Sequence, residues 1–330
     1  MSYADQLFVN MCRDILEHGT STEGEKVRPR WEDGSFAYTM KKFGVVNRYD
    51  LREEFPAITL RKTALKSCFD EILWIWQKKS NNIKDLSSHI WDSWADETGS
   101  IGRSYGYQMG YKSPYRDVDP ETAMKIFRMD EIPLISFPNL HDPAQAVNVE
   151  KYKKYHVVRT TSPDTWWMDQ IDRVLYDLHV NPYSRRILTS IYVHSDLYAM
   201  HLYPCAYSMT FNVTKEPGCE KLILNGILNQ RSNDLLAAGN WNVSQYALLL
   251  MMTAQSCGMI AGELLHVIAD AHIYDRHIPI VKELIQREQY PAPKVWLDPD
   301  VKHFYDFTTD HLHVENYVTG PQVKNIPIAV

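Results

Sequence analysis

The chain has 330 residues, 45% of them hydrophobic, which is enough to bury a large core in one domain or in two. Asp and Glu (41) outnumber Lys and Arg (35), and the net charge of −6 excludes a general attraction to DNA or to an anionic membrane. Five cysteines without a C-x-x-C pair fit neither a disulfide framework nor a thiolate zinc site. We therefore expect a cytoplasmic protein without a metal site, in which any bound phosphate is held by local arginines.

The N-terminal segment, residues 1–19, places charged side chains among apolar ones, at Asp5, Arg13 and Glu17. A signal peptide needs an uninterrupted apolar region, so this segment is predicted to be an amphipathic helix. The longest apolar run elsewhere, residues 246–252, is far shorter than the roughly 20 residues that cross a bilayer. No contact with a membrane is expected.

A buried helix is predicted over residues 61–79, where Leu65, Phe69, Ile72 and Trp76 recur at the period of 3.6 residues. Glu71 lies on this mostly apolar helix. Burial disfavours a charged carboxylate, so the pKa of Glu71 is expected to rise toward the range that serves proton transfer.

Between Gly110 and Asp169 the periodicity is lost and six prolines accumulate, which is typical of an insertion. We expect variable structure and no chemistry at about 112–165. Regular elements are predicted again beyond it. They are a helix around 165–180, strands over 187–194, 203–213 and 221–230, and a buried helix over 243–257.

A further strand is predicted over residues 264–274. Alternate residues of a strand share a face, which would place His266, Ile268, Asp270, His272 and Tyr274 together. A polar set on one face of an apolar strand indicates either a pocket or a solvated outer face, and the pattern alone does not separate the two.

Cys205 follows a proline in one of the predicted strands. Taken alone, such a cysteine is more often a small buried hydrophobic residue than a nucleophile. Arg185, Arg186 and Arg231 change that balance, because arginines that clamp a phosphate would also favour the thiolate over the thiol.

The order of these motifs resembles the folate-dependent thymidylate synthase family. The resemblance rests on Arg185-Arg186, Pro204-Cys205, Gln230-Arg231-Ser232-x-Asp234, Asn242 and Asp270-x-His272-x-Tyr274. Upstream, Arg28 and the segments 71–74, 90–94 and 105–108 are also similar to family motifs, as is the C-terminal Ile328-Ala329-Val330. Only the stretch at roughly 112–165 lies outside the resemblance.

The resemblance implies a fold and an assembly. The fold is α+β, with a mixed β-sheet and surrounding helices, and residues 1–330 form a single domain with an insertion at about 112–165. The sheet forms the interface of a homodimer. The implied partners are dUMP and folate, with neither DNA nor a membrane.

The resemblance also implies the reaction, which is reductive methylation of dUMP to dTMP. Cys205 adds to C6 of the uracil, and 5,10-methylenetetrahydrofolate is the co-substrate that supplies both carbon and hydride. The implied catalytic residues are Cys205, Glu71, Tyr105, Arg231, Asp234 and Asn242. Among them, Glu71 is the general acid and base, and Tyr105 assists removal of the C5 proton.

Nucleotide contacts are implied at ten positions. Arg28, Arg231 and Ser232 hold the phosphate, Arg185 and Arg186 reach it from the other subunit, Asn242 reads the uracil, and His272 and Tyr274 bind the sugar hydroxyl. Asn233 and Asp234 complete the set. An amide at 242 suits uracil because it offers both a donor and an acceptor, to O4 and to N3–H.

The folate site is implied at Trp91, Trp94, Asp234, Ala329 and Val330. The tryptophans form an apolar wall, and the C-terminal residues fold over the folate to exclude water. Two other functions stay open on the sequence: a pyrimidine nucleotide hydroxymethylase on the same scaffold, and a catalytically silent homologue that binds nucleotide or RNA.

Overall fold

The computed structural model describes residues 1–135, 152, 154–161 and 164–329. These residues form two compact units. The first comprises Met1–Ile72, Cys205–Met209 and Lys215–Val330, and the second comprises Leu73–Pro204 and Thr210–Thr214. The expected α+β class is confirmed by mixed sheets with packed helices. A single domain with an insertion at about 112–165 stays a prediction.

The first unit opens with helix α1, Tyr3–His18, which confirms the predicted amphipathic helix. The Ser2 hydroxyl accepts a hydrogen bond from the Asp5 backbone N–H, as an N-cap residue does. Phe8, Cys12 and Ile15 form its buried stripe. This spacing is that of one helix face, so α1 packs on the sheet through its apolar side.

Two buried helices confirm the predictions over 61–79 and 243–257. Helix α2, Leu65–Ile72, starts four residues later than expected and continues as a π-helical turn over Leu73–Gln77. A second long helix, Trp241–Ser256 (α6 in chain order), is apolar around most of its circumference and is buried accordingly.

A seven-stranded sheet runs through the chain in the order β1-β2-β11-β9-β8-β7, with β10 paired to β11. Its strands are β1 (Thr20–Ser21), β2 (Thr39–Asp50), β7 (Leu188–Ser190), β8 (Ala206–Thr214), β9 (Ile223–Gln230), β10 (Asn233–Asp234) and β11 (Ile260–Tyr274). The strands expected over 203–213, 221–230 and 264–274 are confirmed. The strand expected over 187–194 covers only β7, and a 3-10 turn, His194–Ala199, follows it.

The expected single polar face on β11 is wrong. His266 is buried and hydrogen-bonds to Gln230, whereas Asp270, His272 and Tyr274 line a cavity. The paired strand β2 shows why. Asn47 contacts Met11 of α1, and Lys42, five residues away, also reaches α1 at Asp14.

Residues five apart in a regular strand would point to opposite faces. Gly44 lies between Lys42 and Asn47 and has a φ of 74°, a left-handed conformation that glycine adopts without strain. The alternation of side chains between the two faces of β2 therefore changes at Gly44. Because β11 is paired with β2, the end of β11 that carries Asp270, His272 and Tyr274 faces the cavity.

The outer face of the same sheet is incompletely covered and carries both apolar and polar side chains. Residues on β9 and β11 alternate between buried and half-buried, and the half-buried members include Ile227, Leu265 and Val267 but also Asn225, Asn229 and Glu263. Val46, opposite Val267 in the register, is 55% exposed. The first unit therefore presents a sheet surface on which apolar residues lie among polar ones. The unit ends with helix α7, Ile278–Leu284, and the hairpin β12 (Lys294–Leu297) and β13 (Leu312–Glu315).

The second unit contains a four-stranded sheet of order β3-β6-β5-β4. Its elements in chain order are α3 (Gly106–Gly110), β3 (Lys112–Tyr115), α4 (Pro120–Phe127), β4 (Leu134–Ile135), β5 (Val157–Thr161), β6 (Asp164–Asp169) and α5 (Gln170–Val180). Much of the described part of the stretch at about 112–165 is thus regular, and residues 136–151 of that stretch lie outside the described residues. The helix expected around 165–180 begins at Gln170, because β6 precedes it and the Asp169 carboxylate caps it.

A buried ionic cluster holds this unit together. Lys79 Nζ lies 2.5 Å from Asp169 Oδ2 and 3.1 Å from Asp172 Oδ2, and His156 Nδ1 lies 2.9 Å from Asp172 Oδ1. Burial would raise the pKa of Asp172, but Lys79 and His156 hold the pKa well below its usual value. The cluster therefore retains buried charge, and one of its members, His156, lies in the stretch at about 112–165 where no chemistry was expected.

Candidate active site

A cavity of about 350 Å³ opens on the first unit. It contains five residues that the sequence predicts to bind a nucleotide, namely Arg28, Arg231, Ser232, His272 and Tyr274. These residues are far apart in sequence and come from the segment before β2, the end of β9 and the end of β11. Two arginines in one polar cavity form a suitable site for a phosphate.

Cys205 lies beside one of these arginines. The Arg231 guanidinium Nη2 is 3.9 Å from Cys205 Sγ, and the Arg231 backbone N–H donates to the Cys205 carbonyl at 2.9 Å. Burial raises the pKa of the Cys205 thiol, and Arg231 lowers it by a smaller amount. The expected assistance from arginine is therefore present, but burial outweighs it.

Burial is the largest effect on the thiol pKa of Cys12, Cys68 and Cys257, and no cation is among the causes of their shifts. All five cysteines are free thiols. Burial raises the pKa of Cys257 to about 12, and both burial and the nearby Glu71 raise that of Cys68. Cys205 is thus distinguished by a cation within contact distance of its sulfur.

His272 is held by two charged residues to which the sequence analysis assigned no role. Its Nδ1 lies 2.9 Å from Asp270 Oδ1, and Asp270 Oδ2 lies 2.7 Å from Lys41 Nζ. A carboxylate only accepts hydrogen bonds, so Nδ1 carries a proton and donates it. In the neutral ring Nε2 is then an acceptor. Lys41 lies on β2, where nothing in the sequence pattern indicated a site residue.

The amide of Asn242 has a defined orientation. Gln230 Nε2 donates to the Ser232 carbonyl at 2.9 Å and to Asn242 Oδ1 at 3.0 Å, and Asn242 Nδ2 donates to Gln245 Oε1 at 3.0 Å. The backbone carbonyl of Ser232 can only accept, so it sets the direction of the other bonds. Asn242 keeps a second lone pair and a second N–H for a ligand.

Glu71 is 4% exposed, and its Oε2 accepts a hydrogen bond from Trp241 Nε1 at 3.0 Å. The partner indole is the first residue of α6, and Asn242 follows it. The structure therefore connects Glu71 with the helix start that carries the predicted base-reading residue. Its raised pKa stays a prediction.

Asp234 accepts hydrogen bonds from the backbone N–H groups of Leu236 and Ala237. Its Oδ1 also lies 3.4 Å from His277 Nδ1. Burial would raise the pKa of Asp234, but these hydrogen bonds and His277 hold it below the usual value. Asp234 is therefore ionised and still 19% exposed. The neighbouring Asn233 is buried and does not line the cavity.

The C-terminal segment is described as far as Ala329, and Val330 lies outside the described residues. Ala329 is half-buried. The Pro327 carbonyl accepts a hydrogen bond from His277 Nε2 at 2.8 Å. The predicted tail residues thus follow directly after a point of attachment to the first unit.

The second unit holds the predicted aromatic wall. The Trp91 ring lies 5.7 Å from that of Trp94 and 4.8 Å from that of Tyr105, centroid to centroid. Among the residues that the structure describes, Trp91 Nε1 is buried without a hydrogen-bond partner. An unsatisfied buried donor costs stability, which fits a wall completed by a polar ligand.

Tyr105 has a φ of 46°, which is rare for a bulky residue. The adjacent Gly106 has no space for a side chain, since a Cβ there would lie 2.0 Å from the Ser80 carbonyl oxygen. The backbone of α3 therefore approaches that of Ser80 as closely as only glycine permits. Such strain often marks a functional position.

Arg185 and Arg186 lie in the second unit, in the loop between α5 and β7, and both are exposed. They border a cavity of about 720 Å³ together with Asp117 and Arg173. Arg173 is paired with Asp117 and Asp177. No hydrogen bond of the Arg185 or Arg186 guanidinium is found within the described residues.

Within the described ranges, no group of three or more His, Cys, Asp and Glu side chains is arranged to hold a metal ion. In the same part of the chain, no helix is long and apolar enough to cross a bilayer.

Comparisons with known proteins agree on one family. The profile of the thymidylate synthase family matches residues 6–330. The thymidylate synthase of Bacillus licheniformis is 36% identical over 327 residues, and thymidylate synthase 1 of Bacillus subtilis strain 168 is 35% identical over the same length, each match covering 98% of both chains. The structure of thermostable thymidylate synthase A from Bacillus subtilis superimposes with a TM-score of 0.78 at 33% identity and covers all of both chains.

Proposed function

The chain belongs to the thymidylate synthase family, and we propose that Cys205, Arg231 and the other predicted site residues carry out the reaction of that family. It is accordingly a methyltransferase that makes dTMP from dUMP with 5,10-methylenetetrahydrofolate. The single observation that carries the proposal is the placement of Arg231 at 3.9 Å from the Cys205 sulfur in a cavity suited to a phosphate.

Cys205 is the nucleophile. Its thiolate adds to C6 of the uracil, and the electron pair of the C5–C6 bond moves toward C5 and O4, so that C5 becomes nucleophilic. Because burial raises the pKa of the thiol, the addition depends on Arg231 to favour the anion. Arg231 therefore has two roles, as phosphate ligand and as counter-charge to the sulfur.

Asn242 holds the uracil during this step. Its remaining N–H donates to O4, where negative charge develops, and its remaining lone pair accepts from N3–H. The bonds from Gln230 and to Gln245 fix this polarity before the substrate arrives. Cytosine presents the reverse pattern at these two atoms, so the same network disfavours it.

The phosphate is held by Arg28, Arg231 and Ser232, and the sugar hydroxyl by His272 and Tyr274. Asp270 orients the His272 ring, and burial raises the pKa of Tyr274 to about 12, so its phenol remains a donor at neutral pH. Asp234, which follows soon after Ser232, completes the proposed nucleotide contacts, whereas the buried Asn233 does not line the cavity and is left to support this turn. Arg185 and Arg186 are exposed, as is required of residues that reach the phosphate of a partner subunit.

Folate binding is assigned to Trp91 and Trp94 in the second unit and to Asp234, Ala329 and Val330 in the first. When bound, methylenetetrahydrofolate supplies the one-carbon unit and the hydride. The unpartnered indole N–H of Trp91 fits a polar ligand, and the ionised Asp234 fits the N–H groups of a pterin. Ala329 and Val330 exclude water from the site.

Proton transfer is assigned to Glu71 and Tyr105. Glu71 is buried and hydrogen-bonded to Trp241, so it is fixed in position and shielded from bulk water. Both groups act at the uracil: Glu71 exchanges protons with O4, and Tyr105 assists removal of the proton at C5.

A cytoplasmic homodimer is the proposed working form. Four apolar side chains on the outer face of the sheet, at Val46, Ile227, Leu265 and Val267, fit an isologous interface with a second copy. The exposed Arg185 and Arg186 fit a contribution to the partner's site. The net charge of −6 offers no general attraction to DNA.

The experiment is an incubation of the purified protein with dUMP and methylenetetrahydrofolate, in which dihydrofolate is followed by absorbance and the nucleotide is identified by mass. Equal amounts of dTMP and dihydrofolate are expected. A hydroxymethylated nucleotide without dihydrofolate would move the chain to the hydroxymethylase reaction. Tight dUMP binding without turnover would leave a silent nucleotide-binding homologue.

A further inference from the structure

His277 is a buried histidine that the proposed reaction does not use. It ends the turn Asp275–His277 after β11, and its side chain is 1% exposed. Its ring makes edge contacts with Trp31 and Tyr274 at centroid distances of 5.6 and 5.5 Å. Packing on two sides fixes the plane of the imidazole.

Both ring nitrogens face acceptors. Nε2 is hydrogen-bonded to the Pro327 carbonyl oxygen at 2.8 Å, whereas Nδ1, which makes no hydrogen bond within the described residues, lies at an ion-pair distance of 3.4 Å from Asp234 Oδ1. A carbonyl and a carboxylate can only accept, so both contacts are favourable when both nitrogens carry a proton. Burial lowers the pKa of His277, but Asp234 and the Pro327 carbonyl raise it by more. The imidazolium form therefore suits this position.

The C-terminal tail, residues 316–329, is hydrogen-bonded to the rest of the first unit at several positions, and Pro327 is near its end. Earlier attachments are the Tyr317 hydroxyl to the Ile58 carbonyl at 2.8 Å, the Gly320 N–H to the Thr59 carbonyl at 2.8 Å, and Arg287 Nη1 to the Pro321 carbonyl at 2.5 Å. Asn325, two residues before Pro327, has a left-handed φ of 54°.

Within the described part of the tail, His277 makes the last hydrogen bond before the chain end. Without it, the final residues would be attached only at Pro321, six residues earlier. A longer free segment has more conformations to lose when it is placed over a ligand.

We propose that His277 is a positioning residue that joins the C-terminal tail to Asp234, so that the residue that contacts the folate and the segment that covers it are set in place together. This inference rests on the proposed function, since the folate roles of Asp234 and of the tail are part of it. His277 does not itself line the nucleotide cavity, but it contacts Tyr274 and Asp234, so we expect its loss to change the folate KM more than the dUMP Kd.

Two substitutions distinguish the effect of the polar contacts of His277 from the effect of its ring packing. His277→Phe keeps an aromatic ring against Trp31 and Tyr274 but removes both polar contacts. His277→Gln retains one N–H that can donate to the Pro327 carbonyl. His303→Phe, at a half-buried histidine outside the cavity and the tail, is the matched control.

The measurements are kcat, the KM for methylenetetrahydrofolate and the Kd for dUMP, each with the tail intact and with residues 328–330 deleted. We expect His277→Phe to raise the folate KM at least tenfold with the dUMP Kd changed less than twofold, and His277→Gln to lie between His277→Phe and the parent. Deletion of residues 328–330 should cost the His277→Phe variant less than it costs the parent, because the two changes remove one coupling.

A second readout does not depend on turnover. Carboxypeptidase should release the C-terminal residues faster from His277→Phe than from the parent or from His303→Phe. An unchanged release rate, an unchanged folate KM, or a dUMP Kd raised as much as the folate KM would overturn the coupling. A parent protein without thymidylate synthesis would instead count against the proposed function, and the release rate would still test the attachment.

Discussion

Two opposing effects act on the pKa of the Cys205 thiol. Burial raises its pKa and Arg231 lowers it, with burial the larger effect. A nucleophile that ionises reluctantly in the free protein is protected from side reactions. The same contact makes Arg231 important before any phosphate is bound.

Alkylation of Cys205 by iodoacetamide should therefore increase with pH to a midpoint above about 8.5, the value of an unperturbed thiol. Arg231→Met should move that midpoint higher, because the opposing positive charge is lost. Peptide mass spectrometry across pH 6 to 10 would give the midpoint for Cys205 alone. A midpoint below 7.5 in the parent, or no change on substitution, would contradict this account of the thiol.

His266 makes an acid-sensitive contribution to stability. Burial lowers its pKa to about 3, so the folded protein binds fewer protons there than the unfolded chain, whose histidine titrates near 6.5. The free energy of unfolding should fall as the pH drops from about 6.5 toward 3. His266→Gln can still donate to Gln230 and should lose less stability than the parent between pH 7.5 and 5 in urea titrations. Equal losses of stability in the two proteins would contradict the assignment of this pH dependence to His266.

The cavity residues show how far sequence reasoning reaches for a site. Arg28, Arg231, Ser232, His272 and Tyr274 were predicted, and the structure brings them together, because they occur in motifs whose order is distinctive. Lys41 was missed, since a lysine on β2, between β1 and β11, has no distinguishing sequence pattern. The partners of Asn242 and His277 also depend on long-range packing, which periodicity does not encode.

Strand β11 shows the limit of periodicity for a single element. A strict period of two would give its polar residues one face, but the left-handed Gly44 on the paired strand changes the alternation of the pair. A glycine in a strand is a weak indication of such a change. Helices α1, α2 and α6 were easier to predict, because their long apolar stripes are local properties.

Gly106 supports the backbone of Tyr105, and a side chain there has no space. A Cβ would lie 2.0 Å from the Ser80 carbonyl oxygen, so Gly106→Ala should cost about 3 kcal/mol of unfolding free energy and most of the activity. Gly258→Ala is the control, because a Cβ there is in open space and only the positive φ costs about 1 kcal/mol. Urea titration and turnover would be compared; equal effects of the two would contradict the close approach.

For the whole molecule, we predict that the proposed homodimer depends on the outer face of the sheet. Val267→Asp places a charge among the apolar side chains of this face, so it should convert the proposed dimer to monomer at micromolar concentration and abolish synthesis of dTMP. Lys215→Asp, at an exposed loop residue, is the control with the same new side chain. Sedimentation velocity would show the assembly, and a fully active monomer would contradict the proposed interface.

The assignment of Cys205 as nucleophile is the central claim, and trapping the covalent adduct tests it most directly. A dUMP with fluorine at C5 cannot lose a proton there, so the reaction should stop with the nucleotide and the folate carbon still attached. After incubation with methylenetetrahydrofolate and digestion, the peptide that contains Cys205 should gain the mass of both molecules, and Cys205→Ser should show no adduct. An unmodified Cys205 peptide, or an adduct on another of the five cysteines, would contradict the account.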